Sequence, residues 1–477
     1  MYDIIIIGAG INGGLLAQGL SKYNVKVAVL EKDNDVGNEA TAANSAIVHS
    51  GHDPKTGTLK AKFNVRGNEL YEDLCKELKV DFKRNGAFVV ATDESEMPKL
   101  DELYQQAIDR KVPVRKITRE EAIEKEPNLS DAVIAALDLP STGIISPWEV
   151  TIAAMEDAVN NGVELFLDNK VVSIAKKEGY FEITTNKSVY QTKIVINSAG
   201  LYSDDIYRMV SNQSPYTVRA RRGEYYVLDR AEKPVVSRTI YPLPSAKGKG
   251  VLVVPTIHDN ILLGPNSDVI ADKEGKDNTA DALAYVKREV SKTVKNIPMH
   301  TIIRTYSGLR PTPDNHDFIV EEAKDVPGFV NLIGIESPGI ASAPAIREHV
   351  IEKILPNITK LEKKTTPRIE RRPWIILNRM SVAEKQKWFE KDPKFGQMIC
   401  RCELVSEGEI IDVIHRNVGA TTVKAVKRRV RAGAGRCQGG FCEPRVINIL
   451  ARELNITPTE VLLDSDDSRI LVGKTKE

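Results

Sequence analysis

The apolar positions at the start of the chain are continuous rather than alternating. Asp3 leads into Ile4-Ile5-Ile6-Ile7, the pattern of a strand covered on both faces of a parallel sheet. Gly8-Ala9-Gly10-Ile11-Asn12-Gly13-Gly14 follows at once, then helical spacing over 15–23 and a second apolar run over 25–30 that ends on Glu31. Strand, glycine turn, helix and strand predict a βαβ unit. Helical spacing recurs over 70–78, 94–110 and 148–160, and strand-like runs over 86–91, 163–167, 171–174, 180–185 and 194–197. Between 218 and 303 the pattern becomes strand-rich, with short runs at 224–228, 238–241, 250–254 and 260–263 and one helix at 278–294. A strand at 329–333 and a helix at 343–354 restore the α/β pattern, and two further helices are expected at 407–417 and 423–431. Residues 365–397 are basic, proline-bearing and weakly periodic. The expected organisation is an α/β unit over 1–364 interleaved with a mixed sheet, a linker at 365–397 and a small helical module over 398–477.

Composition narrows the function classes. Among 477 residues, 67 Lys and Arg oppose 66 Asp and Glu, so the chain as a whole makes no electrostatic case for binding nucleic acid. Met1 and Tyr2 lead straight into the first strand without a basic or cleavable leader, and no apolar run approaches the ~20 residues of a membrane-spanning helix. A cytoplasmic protein is expected, with no transmembrane segment and with any membrane association made through partners. Five cysteines are placed unevenly: Cys75 stands alone, and Cys400, Cys402, Cys437 and Cys442 fall in the last 78 residues. In a reducing compartment such a cluster indicates metal ligands or redox groups more than disulfides. Cys75 lies on an amphipathic helix and is expected to be a buried small side chain.

Two motifs carry chemistry. In Gly8-x-Gly10-x-x-Gly13, with Asn12 inside the turn, the glycines allow a tight turn, backbone approach to a pyrophosphate and close packing of helix on strand. Glu31, eighteen residues beyond Gly13, can accept hydrogen bonds from ribose hydroxyls, and its charge argues against a 2′-phosphate. The fingerprint alone leaves FAD and NAD open. In Cys400-x-Cys402, a gap of thirty-four residues and Cys437-x4-Cys442, four thiolates suit either tetrahedral zinc or a [2Fe–2S] cluster. Residues 413–442 carry no acid but include Lys424, Lys427, Arg428, Arg429, Arg431 and Arg436. A solvated helix face is the reading for most of these; cations that favour a reduced cluster, or that dock an acidic partner, are the functional ones.

Longer segments bring a family into view. Thr41-Ala42-Ala43-Asn44-Ser45-Ala46-Ile47-Val48-His49-Ser50-Gly51, Asn197-Ser198-Ala199-Gly200 and Gly334-Ile335-Glu336-Ser337-Pro338-Gly339-Ile340 resemble FAD-contacting segments of the D-amino-acid-oxidase-like flavoproteins, over roughly residues 1–360. The resemblance implies FAD held by segments at about 1–80, 145–215 and 304–360. It places Asn44 and Ser45 beside flavin or pyrophosphate, Val171 against adenine through its backbone, Ala199 and Gly200 in the second contact, and the N–H groups of Gly339 and Ile340 toward the flavin pyrimidine. His49 falls where relatives such as glycerol-3-phosphate dehydrogenases and L-2-hydroxyglutarate oxidases also place a histidine, a suitable base. Arg310 resembles the arginine that grips a substrate carboxylate or phosphate. His52, Arg222, Tyr241 and His258 are further substrate-side candidates, with His258 expected on a solvated loop.

Ile399-Cys400-Arg401-Cys402-Glu403 and Gly435-Arg436-Cys437-Gln438-Gly439-Gly440-Phe441-Cys442 resemble the bacterioferritin-associated-ferredoxin-like [2Fe–2S] domain of anaerobic glycerol-3-phosphate dehydrogenase large subunits. The implied activity is oxidation of glycerol 3-phosphate to dihydroxyacetone phosphate, with electrons leaving through a [2Fe–2S] cluster to a partner protein. One departure bears on the substrate, which is expected to be small, polar and anionic. Phosphate-binding relatives often read His-Gly-Gly-Leu-Arg, whereas His49-Ser50-Gly51-His52-Asp53 lacks that arginine and carries an acid. L-2-hydroxyglutarate or another small 2-hydroxy or amino acid is therefore the alternative substrate. A metal-cluster interaction module on a non-catalytic flavin fold is the alternative of another class.

Overall fold

The computed structural model describes every residue except 232–233, 245–249, 466, 474 and 476–477. Its first sheet is built on Tyr2–Ile7, flanked by Val27–Leu30 and Val189–Asn197, both parallel to it. Glu164–Phe166 extends one side, and Phe329–Ile333 runs parallel beside Val189–Asn197 on the other. The continuous isoleucine run has a direct cause, since both faces are covered. Ile4 and Ile6 pack with Leu16, Ile152 and Ile346 of three helices, while Ile5 and Ile7 pack with Phe181, Tyr207 and Phe329.

Among the described residues the second sheet has nine strands, and it draws on both halves of the chain. Thr239–Pro242 runs parallel to Ala87–Ala91, while its other pairings are antiparallel, so the sheet is mixed and interleaved with the first unit. Its longest ladder joins Val218–Leu228 to Ile302–Pro313. The expected strand at 224–228 is thus eleven residues long, and the twelve-residue Ile302–Pro313 is a strand that the sequence pattern did not announce. Gly308, Pro311 and Pro313 break its alternation. The glycine is there for close approach, because a Cβ on Gly308 would lie 2.0 Å from the Ala43 carbonyl oxygen.

A second difference concerns the helix expected at 70–78, which begins at Leu59, where Thr58 caps it by accepting from the Ala61 N–H. Its first half is masked in the sequence by Asn64, Gly67 and Asn68, and each has a tertiary reason. A Cβ on Gly67 would meet the Ala341 carbonyl oxygen at 2.0 Å, so the helix packs tightly on Gly339–His349. Asn64 and Asn68 are buried and both donate to the His49 carbonyl, at 2.7 and 3.0 Å.

The C-terminal helices Glu407–Ile414, Val423–Val430 and Glu443–Leu454 enclose their own core, with Ile410, Val426 and Leu450 fully buried. Residues 365–397 carry a helix, Val382–Lys391, with a Ser381/Glu384 capping box. Arg371 in this stretch is buried against Glu156 at 2.6 Å, and Arg416 meets the same carboxylate. The solvated-face reading of the cationic run is wrong for Arg429. Its side chain is fully buried, and it donates through both terminal nitrogens to Asp35 at 2.9 and 2.8 Å. Asp35 follows the second strand of the βαβ unit, so the module is pinned to the nucleotide-binding fold. Arg429→Ala would remove the bidentate partner of buried Asp35 and leave it only Arg428, at 3.5 Å, so we expect a loss in stability below the ~3–5 kcal/mol of a fully orphaned buried charge, read by denaturant unfolding.

Candidate functional site

The glycine turn is sterically determined. Gly8 has φ +99°, and a Cβ there would lie 2.6 Å from the Ser198 carbonyl oxygen. A Cβ on Gly13 would lie 1.9 Å from the Gly8 oxygen. The turn therefore brings helix Ile11–Leu20, strand Tyr2–Ile7 and the Ser198 segment closer than any side chain would permit. Glu31 is buried beside it, accepting from the Ala9 N–H at 2.6 Å and the Asp33 N–H at 3.0 Å. Burial, with Asp33 close by, pushes its carboxyl up to about 7.

In front of this turn opens a cavity of about 690 Å³. Gly10, Asn12, Asn44, Ser45, Gly200, Gly339 and Ile340 line it, as do His49 and Arg310. Gly8, Gly13, Glu31 and Ala199 lie behind its wall as turn and strand-end residues. Val171 starts an edge strand and is also outside the wall; it follows closely on Asn169, whose N–H donates to the Glu31 carbonyl at 2.8 Å. Residues present fit a dinucleotide. The helices Ile11–Leu20 and Gly339–His349 begin at the cavity without a cap from the preceding side chain, although Thr41 Oγ1 accepts from the Ile11 N–H at 3.0 Å and the Glu336 carbonyl from the Gly339 N–H. The buried Oδ1 of the lining residue Asn12 has no hydrogen-bond partner among the described residues.

On the opposite side stand two arginines. Arg221 and Arg310 are direct cross-strand partners, both line the cavity, and the buried Arg221 Nε and Arg310 Nη1 have no hydrogen-bond partner among the described residues. Like charges placed opposite each other are unfavourable, so the pair is built for an anion between or before them. Arg222, the residue expected here, is turned away. Alternation along the strand sends it to the other face, where it meets Glu224 at 3.3 Å and Asp277 at 2.9 Å. Arg221 is the site residue that the sequence reading missed, and the period of two could have separated the pair. Glu336, also at the wall, is half-buried, which would raise its carboxyl, yet the Lys60 ammonium at 2.7 Å holds it below the usual carboxylate range.

His49 is fixed from two directions. Asn64 and Asn68 hold its carbonyl, and its Nδ1 lies 2.9 Å from the Tyr241 hydroxyl. Burial raises the Tyr241 phenol well above its ordinary value, so this partner stays protonated. Tyr241 does not line the cavity and reaches it only through His49. His52 is likewise off the wall, with Nδ1 at 2.9 Å from Ser50 Oγ and its ring edge-on to Tyr241. Arg110 pins the following loop by donating to the carbonyls of Gly51 and His52 at 2.8 and 3.2 Å. His258 corrects the expectation of a solvated loop residue. It is buried outside the cavity, with Nε2 at 2.8 Å from Glu149.

The four clustered cysteines come together as two neighbouring pairs. Cys402 and Cys437 have their sulfurs 3.7 Å apart. Cys400 and Cys442 are buried, and a hydrogen bond from the Cys442 thiol holds Cys400 down to about 6. A Cβ on Gly435 would lie 2.5 Å from the Cys402 Cβ, so glycine is what lets the two cysteine loops meet. Glu403 accepts from Arg230 at 2.9 Å and Arg431 at 2.8 Å, fixing the turn between the loops. A four-sulfur donor set of this kind fits an iron–sulfur centre. Cys75 is buried away from it in the core beneath the helix Leu59–Leu78, as expected.

Comparison with known proteins places both parts of the chain in families. Residues 3–353 match the family model described as FAD dependent oxidoreductase, and residues 398–452 match the BFD-like [2Fe-2S] binding domain. A glycerol 3-phosphate dehydrogenase of Caloramator mitchellensis is 51% identical, covering 100% of this chain and 99% of the relative. A glycerol 3-phosphate oxidase of Mycoplasma genitalium is 30% identical over 76% of this chain and 96% of its own. Among solved structures, the dithionite-reduced L-alpha-glycerophosphate oxidase from Mycoplasma pneumoniae with FAD bound has a TM-score of 0.74 at 29% identity, covering 78% of this chain and 99% of that one. No described helix is long and apolar enough to cross a membrane. With a nucleotide cradle, a histidine and arginine wall and a separate four-thiol module in one chain, the protein belongs to the FAD dependent oxidoreductase family and carries a C-terminal BFD-like [2Fe-2S] binding domain.

Proposed function

We propose that this protein is a cytoplasmic glycerol 3-phosphate dehydrogenase that yields dihydroxyacetone phosphate and passes electrons to a partner protein. The observation that carries the reading is the opposed pair Arg221 and Arg310, each with one buried guanidinium nitrogen that has no hydrogen-bond partner among the described residues. Two fixed cations suit a phosphate dianion, and Glu336, an acid on the same wall, is already paired with Lys60 at 2.7 Å. The similarity to a glycerol 3-phosphate dehydrogenase and a glycerol 3-phosphate oxidase supports the same substrate.

FAD, when bound, supplies the hydride acceptor, and the [2Fe–2S] cluster supplies one-electron transfer onward. The chain's residues do the rest. Glu31 would receive ribose hydroxyls, and Gly10, Asn12, Asn44, Ser45 and Gly200 would line the dinucleotide, with Ala199 and the backbone at Val171 behind them. The Ile340 N–H, at the start of the helix Gly339–His349, would serve the flavin pyrimidine, where a helix N-terminus stabilises negative charge, while the Gly339 N–H is taken by the Glu336 carbonyl. Arg221 and Arg310 hold the substrate phosphate. His49 takes the proton of the secondary hydroxyl at Nε2 while its Nδ1–H is held by the Tyr241 oxygen, so Tyr241, Asn64 and Asn68 are positioning residues. Cys400, Cys402, Cys437 and Cys442 hold the cluster. In this reading residues 1–364 form the oxidising unit, 365–397 join it to the module, and 398–477 form the electron exit.

The same arginines would pair with a dicarboxylate, so the test compares substrates. Arg221→Gln and Arg310→Gln should each raise KM for glycerol 3-phosphate by about 10–100-fold, the worth of a hydrogen bond to a charged group. Unphosphorylated glycerol should respond to neither change. A KM for glycerol 3-phosphate that stays put in both variants would remove these arginines from phosphate binding.

A further inference from the structure

The cysteine module turns one side of its site outward. Cys402 is exposed and Cys437 half-exposed, while Cys400 and Cys442 are buried. Two exposed apolar side chains flank the outward pair: Phe441, whose backbone N–H is directed at Cys437, is 85% exposed, and Leu404, two residues from Cys402, is 53% exposed. Single exposed apolar residues are ordinary; two set beside one thiol pair are the apolar part of a contact surface. Leu404 sits in the left-handed region, at φ +56°, beside Glu403, whose carboxylate is buried under Arg230 and Arg431. The turn that buries the acid thus presents the leucine.

Charge selects the partner. Within residues 398–404 and 436–445 the exposed charged side chains are Arg401, Arg436 and Arg445, whereas Glu403 is buried and Glu443 half-buried. Arg436 shares its charge with Asp229 at 2.7 Å, which leaves Arg401 and Arg445 as the main cationic rim. Small acceptors are bound in concave pockets, and an aromatic side chain exposed this far is not the wall of one. An apolar anchor with a charged rim is the anatomy of a protein interface.

We infer that this face docks an acidic one-electron carrier protein, with Phe441 as its anchor and Arg401 and Arg445 steering the approach. The inference rests on the reading of the module as the electron exit. The step moves one electron from the reduced centre to the carrier, whose own centre is reduced by one; no bond or proton moves.

The test uses the holoenzyme, reduced photochemically so that its substrate does not enter, with rubredoxin as the acidic one-electron probe and cytochrome c as the basic one. Oxidised rubredoxin should bind in dilute salt and at least ~10-fold more weakly at about 0.5 M, where surface charges are screened. Phe441→Ala, and the pair Arg401→Glu with Arg445→Glu, should each weaken binding and slow rubredoxin reduction by ~10-fold or more. The charge-reversed pair should speed cytochrome c, and Phe441→Leu should restore most of the loss. The cluster spectrum and flavin bleaching by glycerol 3-phosphate should stay as in the parent. Rubredoxin binding and reduction indifferent to salt in the parent protein would overturn the inference even if a variant lost its cluster. Indifference to these substitutions would overturn it equally. Intact flavin bleaching with failed docking would remove only this surface, whereas absent bleaching would strike the enzyme reading instead.

Discussion

His49→Asn should lower kcat by about 10²–10⁴-fold, the worth of a positioned general base, while KM for glycerol 3-phosphate changes little because the phosphate is held by other residues. Asparagine keeps a polar side chain of similar reach but cannot take a proton. The fold should tolerate it, since the backbone of residue 49 is held by Asn64 and Asn68. Anaerobic single-turnover flavin reduction is the readout. Tyr241→Phe, which removes only the group that orients Nδ1, should slow the same step by less than His49→Asn does. An unchanged rate in His49→Asn would move the base elsewhere on the wall.

Cys437→Ser should abolish the cluster's visible absorbance and electron delivery to any acceptor served through the cluster, while leaving flavin bleaching by glycerol 3-phosphate intact. A thiolate donates strongly to iron and a serine hydroxyl at neutral pH does not. Cys437 is the informative position because it is half-exposed, so its replacement leaves the module's core alone. Cys400 and Cys442 belong to that core, and serine there would combine ligand loss with burial of a hydroxyl. Absorbance and electron paramagnetic resonance report the cluster, and the flavin band reports the first half-reaction. Loss of both signals in Cys437→Ser would contradict separate roles for the two units.

The sequence made the nucleotide fold legible because its determinants are local: an apolar run needing cover on both faces, glycines with no room for a Cβ, and an acid at the next strand end. The thiol site was legible from spacing for the same reason. What stayed hidden was tertiary. Asn64, Gly67 and Asn68 read as interruptions of a helix, yet they serve the His49 segment and the close helix crossing. Gly308 and two prolines disguised the strand that carries Arg310. Arg221 and Arg222 are equivalent by composition and are separated only by which face of the strand meets the cavity. His258 and Arg429 looked solvated because their partners, Glu149 and Asp35, are far away in the sequence.

Anaerobic mixing of the holoenzyme with glycerol 3-phosphate, followed at the flavin and cluster bands, tests the central claim most directly. The flavin should bleach first and the cluster absorbance should fall after it, with L-2-hydroxyglutarate leaving both bands unchanged. Bleaching by L-2-hydroxyglutarate with none by glycerol 3-phosphate would contradict the proposed substrate, and a flavin that bleaches beside a cluster that never reduces would contradict the proposed route.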